Sequence, residues 1–223
     1  MLQEDLEDPS SRAPSATRKD LQLGRRLVHM ANGVIIATAY NLFFTHTQVV
    51  YLFGVIACLV YILDRVRIGY PEWVKRIPQV NDLLFRAEEQ VRESAMVPYA
   101  VAILLTLITF PKPIALIAIY TLAIADPLSA IVGINYGKRQ IVPDKTVEGS
   151  LAFFAASTLV SAAVLYPAAA DAPGEMLVVS VLIGLAAAVV EMLPLRIDDN
   201  LTIPLFVAFF SWIVCALFGI SLS

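Results

Sequence analysis

The sequence predicts an all-α polytopic membrane protein with about seven transmembrane helices. Hydrophobic residues make up 58% of the 223 residues, which exceeds the share typical of soluble domains. They are concentrated in seven apolar stretches, each close to the length that crosses a bilayer: 27–45, 48–63, 95–110, 114–134, 150–166, 176–193 and 201–220. All of the 16 lysines and arginines except Lys112 fall in the N-terminal tail or in the loops after the second, fourth and sixth stretches. By the positive-inside rule, the N-terminus is expected in the cytosol and the C-terminus outside.

Outside the apolar stretches the chain offers only a tail and short loops. Residues 1–24 are polar, carry both charge signs and include two prolines and several serines, which is typical of a disordered cytosolic tail. Residues 25–223 are expected to form a single transmembrane domain, with cytosolic loops at 64–94, 135–149 and 194–200. Any active or transport site must therefore be built from helix ends and short loops, and the cations place it on the cytosolic face.

The charge balance excludes a simple basic surface for nucleic acid. The net charge is −3, and acidic as well as basic residues crowd the cytosolic loops. Both cysteines, Cys58 and Cys215, lie in predicted spans, where they are expected to be packing residues and not a disulfide. We expect a multi-pass integral membrane protein of a prokaryotic plasma membrane, and the sequence leaves its oligomeric state open.

The fourth apolar stretch contains an aspartate followed by a proline. Proline disfavours the helical conformation of the residue before it, so a break of this span at Asp126-Pro127 is predicted, with Asp126 as the N-cap of a second half-helix. An ionisable side chain at membrane depth is a functional candidate by default. The alternative is a capping aspartate close to the interface, with no chemical role.

Small residues follow in the second half of this stretch. Ser129, Gly133 and Gly137 recur every four residues, which suits close packing of two helices, the commoner explanation, or the approach of a phosphate to the backbone. The glycines before Lys138 resemble a Walker A loop, but the spacing is one residue short and Arg139 stands where a serine or threonine would bind magnesium. A P-loop is therefore excluded.

A second acidic element precedes the seventh apolar stretch. Asp198 and Asp199 are adjacent, and neighbouring carboxylates repel each other unless a cation lies between them, so a metal site is predicted. As an alternative, Asp199 or Asn200 could simply cap the last helix. Glu191, about two turns earlier, is a further buried acid that needs a partner.

Several sequence elements together resemble one family of membrane enzymes. They are Arg-Arg-Leu-Val-His at 25–29, Asp-Arg-Val-Arg at 64–67, Arg-x-x-Glu at 86–89, Asp-x-x-Ser-Ala-Ile-Val-Gly at 126–133, Gly-Lys at 137–138, Lys-Thr-x-Glu-Gly-Ser at 145–150 and Asp-Asp-Asn-Leu-Thr-Ile-Pro at 198–204. In this order and spacing, they resemble the CTP-dependent lipid-alcohol kinases, a family that includes dolichol kinase, phytol kinase and the yeast-type diacylglycerol kinase. The resemblance covers roughly residues 24–221. One departure is Ala125, where the family usually has glycine before its key aspartate.

The resemblance implies phosphoryl transfer, which needs cations for the phosphates, carboxylates for Mg²⁺ and a positioned base. The catalytic residues that it implies are Asp126, Lys145 and Glu148. The nucleotide and its phosphates are expected at Gly133, Gly137, Lys138, Arg139, Lys145, Thr146 and Gly149. Mg²⁺ is expected at Asp198, Asp199, Asp126 and Glu148. Further polar candidates are Arg26, His29, Arg67, Arg86, Glu89, Glu191 and Asn200.

The predicted function is therefore CTP-dependent phosphorylation of a lipid alcohol within the bilayer, at the cytosolic face. The acceptor would be an isoprenoid alcohol such as phytol, geranylgeraniol or a polyprenol, or else diacylglycerol. One alternative is an enzyme similar to phosphatidate cytidylyltransferase, which also uses CTP and a metal but releases pyrophosphate. The other is an ion-coupled transporter with its ion site at the break beside Asp126. The transporter is disfavoured because the apolar stretches contain no second Asp-Pro element.

Overall fold

A computed structural model describes residues 18–70, 96–142, 145–195 and 197–222. This part of the chain forms seven helices and a short β-hairpin, with the consecutive helical segments of Lys112–Tyr136 counted as one helix. The helices are α1 (Arg18–Phe43), α2 (His46–Gly69), α3 (Met96–Thr109), α4 (Lys112–Tyr136), α5 (Val147–Ala169), α6 (Pro173–Met192) and α7 (Asp199–Leu217). The strands β1 (Gln140–Val142) and β2 (Lys145–Thr146) lie between α4 and α5.

The helices support an all-α membrane protein. Five of those described, α2, α4, α5, α6 and α7, are long and apolar enough to cross a membrane. The apolar helix α3 is shorter, with 14 residues, and α1 contains most of the first predicted span. Seven spans, and the sides on which the termini lie, stay predictions. Because α1 begins at Arg18, residues 18–24 are helical and are not part of a disordered tail, and residues 1–17 lie outside the described part.

The predicted break of the fourth span at Asp126-Pro127 is wrong. Ala125 (φ −71°, ψ −40°) and Asp126 (φ −64°, ψ −52°) have right-handed helical backbones, so α4 continues through them, but its turn Thr121–Ala125 is π-helical. Pro127 has no N–H to donate, and its ring collides with the carbonyl group four residues earlier, that of Ala123. The wider π turn contains Ala123 and relieves this conflict without ending the helix. Asp126 is therefore a helical residue and not an N-cap.

Helix α4 is the centre of the bundle. Helices α1, α3, α5 and α7 all pack against it, and its side chains Ile114, Ile117 and Leu122 are part of the hydrophobic core. Helix α1 approaches the π turn at Gly33, where a Cβ atom would lie only 2.6 Å from the Cβ of Ala123. Glycine at position 33 thus lets α1 pack against the widened turn.

The small-residue face of α4 packs against the start of α5. A Cβ atom at Gly133 would lie 3.1 Å from Thr146 Oγ1, and one at Gly137 would lie 2.7 Å from Thr146 Cγ2. A Cβ atom at Gly149 would lie 2.8 Å from the carbonyl oxygen of Ser129. Side chains at these three glycines would push the two helices apart, so the geometry supports close packing as the explanation of the stripe.

A β-hairpin that the sequence did not predict connects α4 to α5. Its strands are antiparallel, with Val142 opposite Lys145, and the connection between them, 143–144, lies outside the described residues. The hydroxyl of Thr146 then accepts a hydrogen bond from the Gly149 N–H at 3.1 Å and caps the N-terminus of α5. The hairpin therefore fixes Lys145 directly before the first turn of α5.

Candidate functional site

A cavity of about 960 Å³ lies beside the C-terminal half of α4. Its walls come from α1, α4, the hairpin, the start of α5, the end of α6 and the start of α7. The side chains that give it polar character are those of Arg26, His29, Asp126, Ser129, Gln140, Lys145, Thr146, Ser150, Glu191, Asp198, Asp199 and Asn200. Residues far apart in the sequence thus meet at one end of the bundle.

Lys145 links carboxylates from two different helices in this cavity. Its Nζ donates hydrogen bonds to Glu191 Oε1 at 2.6 Å and to Asp199 Oδ2 at 3.4 Å. Burial disfavours the charged form of Lys145, but the hydrogen bond to Glu191 and the negative charges of Glu191, Asp199 and Asp126 outweigh it and raise the pKa of the ammonium group. Lys145 therefore carries a positive charge throughout the neutral pH range.

Glu191, the acid that needed a partner, has two of them. It is 2% exposed in the last turn of α6, and its Oε2 accepts a hydrogen bond from the Ser150 hydroxyl at 3.2 Å while its Oε1 accepts from Lys145. Burial of a carboxylate without such partners would be costly in this apolar bundle. The two contacts hold the end of α6 against the hairpin and the start of α5.

The adjacent aspartates before α7 have different contacts. Asp198 is the N-cap, because its Oδ1 accepts a hydrogen bond from the Asn200 N–H at 2.8 Å. Asp199 is the first residue of α7 and pairs with Lys145. The capping role considered for Asp199 or Asn200 thus belongs to Asp198, and the carboxylates of both aspartates line the cavity.

Four residues that were predicted for the site at the connection between α4 and α5 do not line the cavity. Glu148 Oε2 accepts hydrogen bonds from the backbone N–H groups of Lys138 at 3.0 Å and Arg139 at 3.4 Å, so it holds the segment between α4 and β1. Gly137, Lys138 and Arg139 are exposed outside the cavity wall. The Glu148 carboxylate is thus bound by the backbone that directly precedes β1, whereas Asp126 and Lys145 line the cavity.

The predicted candidates of the second loop also lie elsewhere. Arg67 is buried near the end of α2, and its Nη2 donates a hydrogen bond to Asp64 Oδ1 at 2.7 Å. This part of the expected loop 64–94 is helical, since α2 continues to Gly69, and Arg67 does not line the cavity. Arg86 and Glu89 lie outside the described residues.

The cavity brings together most of the other predicted residues. They are Asp126, Lys145, Asp198 and Asp199 with Arg26, His29, Gly133, Thr146, Gly149, Glu191 and Asn200. Sequence reasoning missed Ser129 and Ser150 as polar lining residues, although helical spacing could have found them, three residues after Asp126 and four after Thr146. Gln140 gave no such signal because the hairpin itself was not predicted.

The cavity has more carboxylates than cations and could hold a divalent cation together with an anionic ligand. Among the described residues that line it, four carboxylates face only two full cations, Arg26 and Lys145, which leaves an excess of two negative charges. In the described ranges, no three His, Cys, Asp or Glu side chains could hold a metal ion together. Mg²⁺ is commonly bound by one or two carboxylates plus substrate phosphates. The side chains of the cavity could supply the carboxylates. Within the same residues, the buried Nε of Arg26 has no hydrogen-bond partner, which suits a polar ligand.

The chain is similar over most of its length to proteins named as lipid kinases. It is 27% identical to a CTP-dependent diacylglycerol kinase 1 of Eremothecium gossypii, over 87% of this chain and 68% of that protein. It is 25% identical to the probable phytol kinase 1, chloroplastic, of Oryza sativa subsp. japonica, over 82% of this chain and 61% of that protein. An uncharacterized protein of Methanocaldococcus jannaschii is 29% identical, over 84% and 91% respectively. No family model and no solved structure matches the chain.

These similarities support the lipid-kinase family that the sequence elements resemble. They also support an enzyme of the kinase class, because the relatives that carry a functional name are kinases. Together with the five apolar helices, they support an integral membrane protein.

Proposed function

We propose that this chain is a CTP-dependent kinase that transfers the γ-phosphoryl group of CTP to the hydroxyl group of a lipid alcohol in the membrane. The acceptor is an isoprenoid alcohol, such as phytol, geranylgeraniol or a polyprenol, or diacylglycerol. The observation that carries the proposal is the cavity in which Asp126, on a membrane helix, meets Lys145 and the acidic start of α7. The names of two relatives, a CTP-dependent diacylglycerol kinase and a probable phytol kinase, point to the same donor and acceptor class.

In this proposal the cations of the cavity bind the phosphates of CTP. Lys145 stabilises the charge that develops on the leaving oxygen, and Arg26 offers a buried Nε without a partner among the described residues. Asp198 and Asp199 would hold a Mg²⁺ ion that accompanies the nucleotide, and the ion would supply positive charge for the phosphates. The excess negative charge of the cavity supports this assignment, because a triphosphate alone would be repelled.

Asp126 orients and deprotonates the lipid hydroxyl in the proposed reaction. It lies within α4, a helix long and apolar enough to cross a membrane, and it lines the cavity, so a lipid hydroxyl that enters the cavity can reach it. The hydroxyl oxygen bonds to the γ-phosphorus, the bond from that phosphorus to the β–γ bridging oxygen breaks, and CDP leaves. The hydroxyl proton passes to the Asp126 carboxylate.

Glu148 has a supporting role in this proposal in place of a catalytic one. Its hydrogen bonds to the backbone of Lys138 and Arg139 fix the entry to the hairpin that carries Lys145. Gly133 and Gly149, which line the cavity, allow α4 and α5 to pack closely enough to form its wall.

The proposal is tested with detergent-solubilised protein, a panel of lipid alcohols and CTP labelled in either the α or the γ phosphate. The expected result is a lipid monophosphate that carries the γ label, together with free CDP. Transfer of the α label to phosphatidate, with release of pyrophosphate, would instead identify a cytidylyltransferase. Absence of any labelled lipid from the whole panel, under conditions in which the protein stays folded, would contradict the proposed function.

A further inference from the structure

Among the described residues, four carboxylates line the cavity, and Glu191 is the most deeply buried of them. Only 2% of it is exposed, and both of its oxygens are engaged, Oε1 by Lys145 Nζ at 2.6 Å and Oε2 by Ser150 Oγ at 3.2 Å. The two donors are five positions apart on β2 and the first turn of α5, so they approach the carboxylate from one neighbouring segment. A carboxylate held at both oxygens has one defined orientation.

The two acidic partners of Lys145 are not equivalent. The side chain of Lys145 is 24% exposed, and it contacts both the buried Glu191 and the more exposed Asp199. Asp199 is 46% exposed and lies 3.4 Å away, against 2.6 Å for Glu191. Glu191 is therefore the shorter-range and more buried partner of the lysine, and Asp199 is the more distant and more exposed one.

A lysine needs such a partner if it is to act at a defined point. Its ammonium is a compact charge on a flexible four-carbon stem, which loses conformational freedom when it is held in one place. Electrostatic stabilisation of a transition state depends on charges that are already oriented before the reaction. A short bond to a buried carboxylate provides that orientation before any ligand arrives.

We infer that Glu191 is a positioning residue: it holds Lys145 toward the phosphates in the proposed reaction, with Ser150 orienting the carboxylate in turn. This inference rests on the proposed kinase function. A purely structural ion pair would stabilise the fold and leave the turnover of folded protein unchanged. A positioning pair lowers kcat when either member is removed, and the two losses do not add, because both act through one ammonium group.

The test is a double-mutant cycle of Glu191→Gln and Lys145→Met, with kcat, KM for the lipid alcohol and thermal unfolding measured for each variant. Glu191→Gln should lower kcat roughly 10- to 100-fold, by analogy with side chains that orient metal ligands, with little change in KM. Glu191→Asp, whose shorter side chain keeps the charge, should lose less. In a Lys145→Met background, Glu191→Gln should cause no further loss. Glu175→Gln, an exposed acid in the first turn of the same helix, is the matched control and should keep wild-type kcat.

A milder pair of variants decides the question if Glu191→Gln does not fold. Ser150→Ala removes one contact of Glu191, whereas Ser161→Ala removes a buried hydroxyl of the same helix that bonds to the Ser157 carbonyl. Ser150→Ala should lower kcat severalfold and Ser161→Ala should not. Equal kcat in these two variants, or additive losses in the cycle, would overturn the positioning role.

Failure of the proposed function has a different outcome from failure of this inference. A wild-type protein that transfers no label removes the kinase function, and the reaction that Glu191 would serve goes with it. An active wild type whose Glu191→Gln variant folds and keeps full kcat removes only the inference. Coupling of the two substitutions in thermal unfolding alone, with unchanged kcat, identifies a structural ion pair.

Discussion

Two lysines lie at opposite ends of the bundle, Lys112 at the start of α4 and Lys145 beside its C-terminal half, and they have different kinds of partner. At the N-terminal end, Lys112 Nζ donates hydrogen bonds to the backbone carbonyls of Asn41 at 3.1 Å and Phe44 at 3.0 Å, and it lies 5.1 Å from the centroid of the Tyr40 ring. Beside the C-terminal half, the partners of Lys145 are two carboxylates that line the cavity. One lysine has neutral partners and the other has charged ones.

The different partners of the two lysines indicate that one end of the bundle has a structural role and that the other carries the proposed chemistry. The carbonyls that Lys112 binds lie in the last turn of α1 and directly after it, where a cation is favourable. Nearby, the Tyr40 hydroxyl lies 2.6 Å from His46 Nδ1 and ties the end of α1 to the first turn of α2. At the other end, charge accumulates around an open space. Substitutions at the end that contains Lys112 should therefore change stability, and substitutions at the end that contains Lys145 should change turnover.

The largest effect should come from Asp126→Asn, which removes the proposed base but keeps the shape of the side chain. Turnover should fall roughly 10²- to 10⁴-fold, the usual contribution of a general base. The Mg²⁺ concentration for half-maximal activity should stay the same, and a Mg²⁺ titration of kcat measures both quantities. Asp171→Asn, at an exposed acid between α5 and α6, is the control. A raised Mg²⁺ requirement with turnover restored at saturation would make Asp126 a metal ligand.

Lys145→Ala should have the next largest effect, and it gives the most direct test of the difference between Lys145 and Lys112. Loss of an ammonium group that stabilises the leaving oxygen should lower kcat roughly 10²- to 10³-fold. Lys145→Arg should recover only part of it, because the planar guanidinium differs from a compact ammonium. Lys112→Ala is the matched control and should keep wild-type kcat in the folded fraction. Near wild-type turnover in Lys145→Ala would remove this lysine from the mechanism.

A smaller and more specific effect is expected from the aspartates before α7. Asp198→Asn should raise the Mg²⁺ concentration for half-maximal activity about tenfold or more, as loss of a metal-binding group commonly does. Asparagine is as good an N-cap as aspartate, so this variant keeps α7 capped and changes mainly the charge. Asp199→Asn should act in the same direction, although it also loses the contact with Lys145. An unchanged Mg²⁺ requirement in both variants would contradict the metal assignment.

The positions of the helices and the convergence of distant residues could be predicted from the sequence. Apolar stretches mark the helices, because a bilayer demands a minimum apolar length. The charge bias placed Asp126, Lys145, Asp198 and Asp199 at one end of their spans, and the four do line one cavity. Helix ends that share a face of a small bundle have little room to lie apart.

The π turn and the contacts of Glu148 could not be predicted from the sequence. Pro127 creates a conflict with the Ala123 carbonyl that either a break or a widened turn can relieve. The choice depends on tertiary packing: α4 is the central helix, and Gly33 leaves room for the wider turn. The contacts of the Glu148 carboxylate depend on a hairpin that brings it back to two N–H donors nine and ten residues earlier in the chain, directly before β1. Local spacing carries no information about such a contact.

The smallest effect is expected at the structural end, from Lys112→Met, which keeps an apolar side chain of similar length and removes the charge. Loss of its hydrogen bonds to the Asn41 and Phe44 carbonyls should lower the free energy of unfolding by roughly 1–2 kcal/mol. Unfolding in a denaturant titration of the detergent-solubilised protein measures this change. Lys138→Met, at an exposed lysine beyond the C-terminus of α4, should leave the stability nearly unchanged. The kcat of folded Lys112→Met should equal that of the wild type, because its partners are neutral backbone groups remote from the cavity wall. A loss of kcat in folded Lys112→Met would show that the two ends of α4 are coupled, and the separation of a structural end from a chemical end would then fail.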